Sequence, residues 1–276
     1  MAGFFGLFDY SKPGRGVDKN APEKKRIFFF FELYFRKFWK LVTLNLIFVL
    51  FCIPVVTIGP AIAAMSKVLR DFANEKPVFL WSDFVEAFKK NWKQGLIMSI
   101  IDAVAFVLIV VSFMFYSHQA ATNMIFYIPL FLVVLIAFLG IMLNYYIFLM
   151  IPTLDMKLKD MLRNAFLLSI LGIKTNLCTL FFTLVFTFAC CYFFVFSLLI
   201  GIVLYFSTYG FIVVFNSYQY IEKYIIQPYY NQTGERRPDV YYFDEDDEDD
   251  VIFEDIGTQE KQVAPSPSVK KGKTIQ

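Results

Sequence analysis

Apolar and polar positions separate along this chain into long blocks. Leu41–Met65 runs for 25 residues without a charge, Gly95–Tyr116 for 22 interrupted only by Asp102 and a few hydroxyls, Ile125–Ile151 for 27, and Leu177–Phe215 for about 39. A helix needs about 20 apolar residues to cross the roughly 30 Å hydrocarbon core of a bilayer. The blocks therefore predict an all-α polytopic membrane protein with about five membrane segments in a bundle. Proline removes a backbone donor and disfavours helix at the residue before it. The first segment is thus expected to break at Pro54, Gly59 and Pro60, either kinking as one span or turning back as a hairpin. The turn-back is the preferred reading. The next two blocks form a hairpin around the eight-residue turn Ser117–Met124. The last is too long for one span, so a turn near Phe196–Gly201 makes it a second hairpin.

Three shorter stretches have helical periodicity with charge on one side. Ile27–Lys40 is rich in aromatic residues but carries Glu32, Arg36, Lys37 and Lys40, which suits a helix lying in the membrane interface. Residues 82–93 place Phe84, Phe88 and Trp92 on one face. Residues 155–172 do the same with Leu158, Leu162 and Phe166. These faces are candidate partner-docking surfaces on cytoplasmic amphipathic helices. A weak repeat accompanies them: an amphipathic helix followed by an apolar hairpin occurs at Phe84–Ile151 and again at Leu158–Phe215, with Asn91 and Asn176 in matching places. The chain divides into a polar N-terminal segment (1–26), a helical membrane domain (27–221) and a disordered acidic tail (222–276) containing seven consecutive acids, Asp244–Asp250. The N-terminal segment lacks the layout of a cleavable signal peptide.

Composition agrees with lipid as the solvent. Residues of the AVILMFWYC set make up 58% of the chain, charged residues 18%, and the mean hydropathy is +0.55. The net charge of +2 hides an asymmetry. Residues 1–221 carry 19 Lys and Arg against 11 Asp and Glu, and residues 222–276 carry 7 against 13. The basic excess borders apolar spans, where lipid headgroups are nearer partners than nucleic acid, and basic loops stay in the cytoplasm. Both hairpin tips lack Lys and Arg and are expected outside, with the C-terminus and, if the first segment turns back, the N-terminus inside.

Candidate chemistry is sparse. Asp102 is the sharpest polar feature, because a carboxylate in an apolar helix is costly unless paired, hydrated or protonated. Asn45, Asn144 and Tyr145 are its candidate intramembrane partners. His118 stands in the outer turn without a nearby Ser and Asp constellation, and the four cysteines lie in apolar runs without metal-ligand spacing. No cofactor, metal or catalytic set is expected, and the protein is not expected to be an enzyme.

The string FRKFWKLVTLNLIFVLFCIPVVTIGPAIAAMSKVLRDFANEKPVFLWSDFVEAFKKNWKQ, Phe35–Gln94, resembles the core of the YesL-like family (DUF624) of bacterial integral membrane proteins. FDYSKPGRGV, Phe8–Val17, also resembles its longer members. Ile62 stands where many relatives have Thr, which argues against a role for a hydroxyl there. The resemblance implies a multi-pass protein of the bacterial plasma membrane, of unassigned activity and often encoded near carbohydrate-uptake and two-component genes. The partners it implies are the bilayer and a sugar ABC permease or membrane sensor. Two functions follow as expectations: a non-enzymatic accessory to such a complex, or a small transporter or channel using Asp102, Asn45 and the break at Pro54–Pro60.

Overall fold

The computed structural model describes residues 25–192 and 201–234. Most of the expected N-terminal segment, the turn at 196–201 apart from Gly201, and the tail beyond Gly234 lie outside the described residues. Every regular element among the described residues is helical: α1 (Arg26–Arg36), α2 (Phe38–Cys52), α3 (Ile58–Ala73), α4 (Leu80–Lys90), α5 (Trp92–Ala120), α6 (Tyr127–Met150), α7 (Leu158–Leu171), α8 (Ile173–Tyr192), α9 (Phe206–Ile221) and α10 (Gln227–Thr233). Three helices, Trp92–Ala120, Met124–Met150 and Ile173–Tyr192, are long and apolar enough to cross a membrane. In the most apolar 18-residue stretch of Met124–Met150 no residue is buried in the protein.

The first apolar block breaks where its prolines stand. α2 ends at Cys52, a 3-10 turn covers Val55–Thr57, and α3 starts at Ile58 with Pro60 in its first turn, where a missing N–H breaks no helical bond. The Thr57 hydroxyl donates to the Phe51 and Pro54 carbonyls and ties the turn to the end of α2. The two helices run back along each other. Arg36, just before α2, pairs with Glu75, just after α3. The Lys37 ammonium lies 5.1 Å from the centre of the Phe72 ring.

Three junctions share one geometry. A single residue separates α1 from α2 (Lys37), α4 from α5 (Asn91) and α7 from α8 (Gly172). Their torsions are φ −100°, ψ 7°; φ −102°, ψ 10°; and φ −89°, ψ 17°. At each, the junction N–H bonds the carbonyl four residues earlier (Leu33, Ala87, Leu168). The junction carbonyl in turn accepts from the N–H four residues later (Leu41, Gly95, Asn176). The hydrogen-bond ladder thus passes through the bend, so each elbow turns a short amphipathic helix into an apolar one while keeping those backbone groups paired. A returning helix follows each time: α3, α6 and α9. These three pack on one another, α3 also packs on α4 and α5, α6 on α7, and α9 on α2 and α8. The described residues therefore run three times through one three-helix pattern. The repeat expected from sequence has its junctions at Asn91 and Gly172; Asn176 occupies the position of Gly95. The first copy, α1–α3, contains the turn-back at Pro54–Pro60 preferred from sequence, but its short helices hid the pattern it shares with the other two.

The core lies where the returning helices meet the elbows, around Leu41, Leu44, Leu69, Tyr146, Met161 and Phe211, all fully buried. The outward parts of α5 and α6 leave it and expose Phe106, Val107, Met114, Phe131 and Ile136. Two boundaries differ from the sequence reading. α5 continues through Ala120, so His118 lies in its last turn. Helix also continues past Glu222, through a π-helical turn at Glu222–Ile226, to Thr233, because Ile225 and Ile226 still pack against the core. The compact unit ends at Tyr229; of the second, Tyr230–Gln276, the described residues are 230–234.

Candidate functional site

Asp102 and Asn144 come together across the α5–α6 hairpin. The Asn144 amide donates to the Asp102 carboxylate at 3.2 Å and to the Gly140 carbonyl at 3.1 Å. The amide oxygen of Asn144 is buried with no hydrogen-bond partner. Asp102 is only seven residues beyond Gly95, which packs at the α4–α5 elbow. At 1.5 Å per residue that is roughly 10 Å along the helix. The pair can hold a carboxylate in place near the start of the apolar stretch, and it belongs to one hairpin only.

Asn45 is placed elsewhere. It is fully buried on α2, donates from its amide to the Ile202 carbonyl at 2.6 Å and accepts from the Ser207 N–H at 2.8 Å. These are backbone groups of the π-helical turn Gly201–Tyr205 and the first turn of α9. A π-helical turn shifts the backbone register, and Asn45 serves as the side chain that holds it against α2. Tyr145 is a third, separate feature. Its buried side chain faces Thr183 and Tyr209, but its hydroxyl is in bonding geometry with neither. The structure thus joins Asp102 to Asn144 and leaves Asn45 and Tyr145 on other helix pairs.

At the helix break, Gly59 and Pro60 press against the α4–α5 elbow. A Cβ on Gly59 would stand 2.2 Å from the Gly95 carbonyl oxygen, and one on Gly95 2.8 Å from the Pro60 Cα. This close backbone approach, rather than an open cavity, is what the break supplies. Ile53, Val55 and Val56 at the turn are exposed.

The two amphipathic faces have different fates. Phe84 is fully buried, its ring centre 5.1 Å from that of Phe51, and Phe88 is half-buried at 4.9 Å from the same ring. Both belong to the internal packing of α4 against α2. Trp92 is 37% exposed and packs edge-on to Phe88. On α7, Leu158 and Leu162 pack partly against the core, whereas Phe166 is exposed beside Leu167 and Ile170.

Two polar features were not singled out in sequence. One is a threonine stripe on α8: Thr175, Thr179, Thr183 and Thr187, spaced by four and so on one helical face. Thr175 shares a 2.7 Å hydrogen bond with the Tyr220 hydroxyl, and Thr187 a 2.9 Å one with that of Tyr205. Nearby, the Tyr146 hydroxyl donates to Asn176 at 2.8 Å. The i, i+4 spacing was a readable signal, masked by the overall hydropathy of the run. The other is the largely buried pair Arg70–Asp71 at 2.8 Å, with Arg70 also donating to Thr153 at 3.1 Å. It ties the end of α3 to the segment after α6. At the first elbow, partial burial lowers the Lys37 ammonium pKa, and the neighbouring cations Lys40 and Arg36 add to the effect.

Among the described residues no group of three His, Cys, Asp or Glu side chains could hold a metal ion. No curated protein and no solved structure matches the chain. Residues 41–113, from α2 through the third and fourth helices into α5, match the model of the family described as Protein of unknown function, DUF624. With its apolar helices exposed to a surrounding solvent, the chain is that of a membrane protein of unassigned activity carrying the DUF624 segment that the resemblance of Phe35–Gln94 implies.

Proposed function

We propose that this protein is a non-enzymatic accessory or scaffold of the bacterial plasma membrane, acting beside a sugar permease or a membrane sensor. The observation that carries this reading is the filled interior. The third, sixth and ninth helices close on one another around Leu69, Tyr146 and Phe211, each fully buried, and Asp102–Asn144, Asn45 and Tyr145 lie on separate helix pairs. Exposed positions at the elbows and on the α7 face, including Trp92, Phe166 and Arg163, remain for contacts outside the chain. Crosslinking and pull-down from native membranes should then recover a recurring membrane partner, while the purified protein in liposomes moves no solute. Solute flux by the protein alone would overturn the proposal.

A second reading, a small transporter or channel, has one observation in its favour: the Asp102–Asn144 pair with its unpartnered amide oxygen. It requires flux that Asp102→Asn abolishes at unchanged abundance.

A further inference from the structure

The α4–α5 elbow carries three lysines beside a groove. Lys89, Lys90 and Lys93 fall within about one helical turn around Asn91. With Phe88, Trp92, Gln94, Ile151 and Asp155 they line a groove of about 610 Å³. That volume lies within the roughly 300–1,000 Å³ of pockets that hold small ligands. Its one acid, Asp155, is 3.5 Å from the Lys90 ammonium. Lys89 and Lys93 make no ion pair with any described residue. The corresponding groove beside α1 has no such excess, since Arg26 and Arg36 share it with Glu32, Glu75 and Glu222.

Position selects the kind of anion. Lys93 opens a stripe on α5 that continues through Ile97, Ile100, Ile101 and Val104, all exposed and on one helical face. Trp92 stands at the junction, and indole rings anchor at membrane–water interfaces. A soluble phosphate would use the lysines and gain nothing from the stripe. A phospholipid would place its phosphate among the lysines and its acyl chains along the isoleucines, and basic pockets beside spanning helices take anionic headgroups in this way. We propose that the groove at the α4–α5 elbow is a binding site for the headgroup of an anionic phospholipid.

The test uses the full chain with Trp39 and Trp81 replaced by Phe, so that Trp92 is the sole reporter. The protein is placed in nanodiscs of phosphatidylcholine containing brominated phosphatidylglycerol or, separately, brominated phosphatidylcholine. Bromine on the acyl chain quenches a nearby indole. Half-maximal quenching is expected at about thirtyfold lower mole fraction of the glycerol lipid, the ratio that about 1 kcal/mol for each of the two unpaired lysines gives. The pair Lys89→Gln and Lys93→Gln should erase that preference. The pair Lys157→Gln and Lys159→Gln, which removes the same charge outside the groove, should leave it. Equal quenching by both lipids, equal loss in both variants, or displacement of the lipid by millimolar inorganic phosphate would overturn the proposal.

Discussion

The third helix, apolar over its first half, and the fifth helix solve opposite problems. α3 carries Gly59, Ala61, Ala63 and Ala64 and is buried along most of its length, packed on α4, α5, α6 and α9. α5 is built from Ile, Val, Leu and Phe and exposes nearly all of its apolar stretch. Small residues permit close helix approach when the surroundings are as apolar as the helix, and bulky ones suit contact with lipid. Position inside a membrane bundle is therefore written in side-chain size more than in hydropathy. A water-soluble protein would bury α5 and leave polar groups outside.

This contrast can be broken by substitution, read as thermal or denaturant stability in detergent or nanodiscs. Phe211→Ala, at the meeting of α9 with α1, should lose about 3–5 kcal/mol, because the ring is fully buried against Phe30 and Tyr34. Gly59→Leu should lose up to about 3 kcal/mol, since even its Cβ meets backbone of the α4–α5 elbow. Asn45→Ala should lose about 1–3 kcal/mol by leaving the Ile202 carbonyl and the Ser207 N–H unpaired. Asp155→Asn removes an exposed partner of Lys90 and should change stability by no more than about 1 kcal/mol. Phe106→Ala, on the outward face of α5, should shift it least, within about 0.5 kcal/mol. Equal losses from Phe211→Ala and Phe106→Ala would remove the distinction between enclosed and outward-facing positions.

Much of the fold was legible. Pro54 and Pro60 marked the break, the charge-free run at Ser117–Met124 marked the hairpin, and the spacing of Phe84, Phe88 and Trp92 marked α4. What stayed hidden depended on partners distant in sequence. Nothing local to Asn45 tells that its amide will hold a π-helical turn more than 150 residues away. The elbow at Lys37 was read as the inside of one interfacial helix, because its charge pattern runs on from α1. The pairing of Asp102 with Asn144 was among the readings offered by sequence, since a hairpin with a short turn brings those two depths together. Phe84 and Phe166 looked alike as members of amphipathic stripes, but only tertiary packing decides that one is enclosed by Phe51 and the other left outside.

The central claim is that lipid covers the outward parts of α5 and α6. Single cysteines at Phe106 and Val111, in a chain with Cys52, Cys178, Cys190 and Cys191 replaced, test it directly. Both positions are exposed on the protein itself, so the protein cannot shield them. In sealed membrane vesicles a charged, membrane-impermeant maleimide is expected to leave both unlabelled until detergent dissolves the bilayer and the protein is denatured. Prompt labelling of either position in intact vesicles, from either side, would contradict the account.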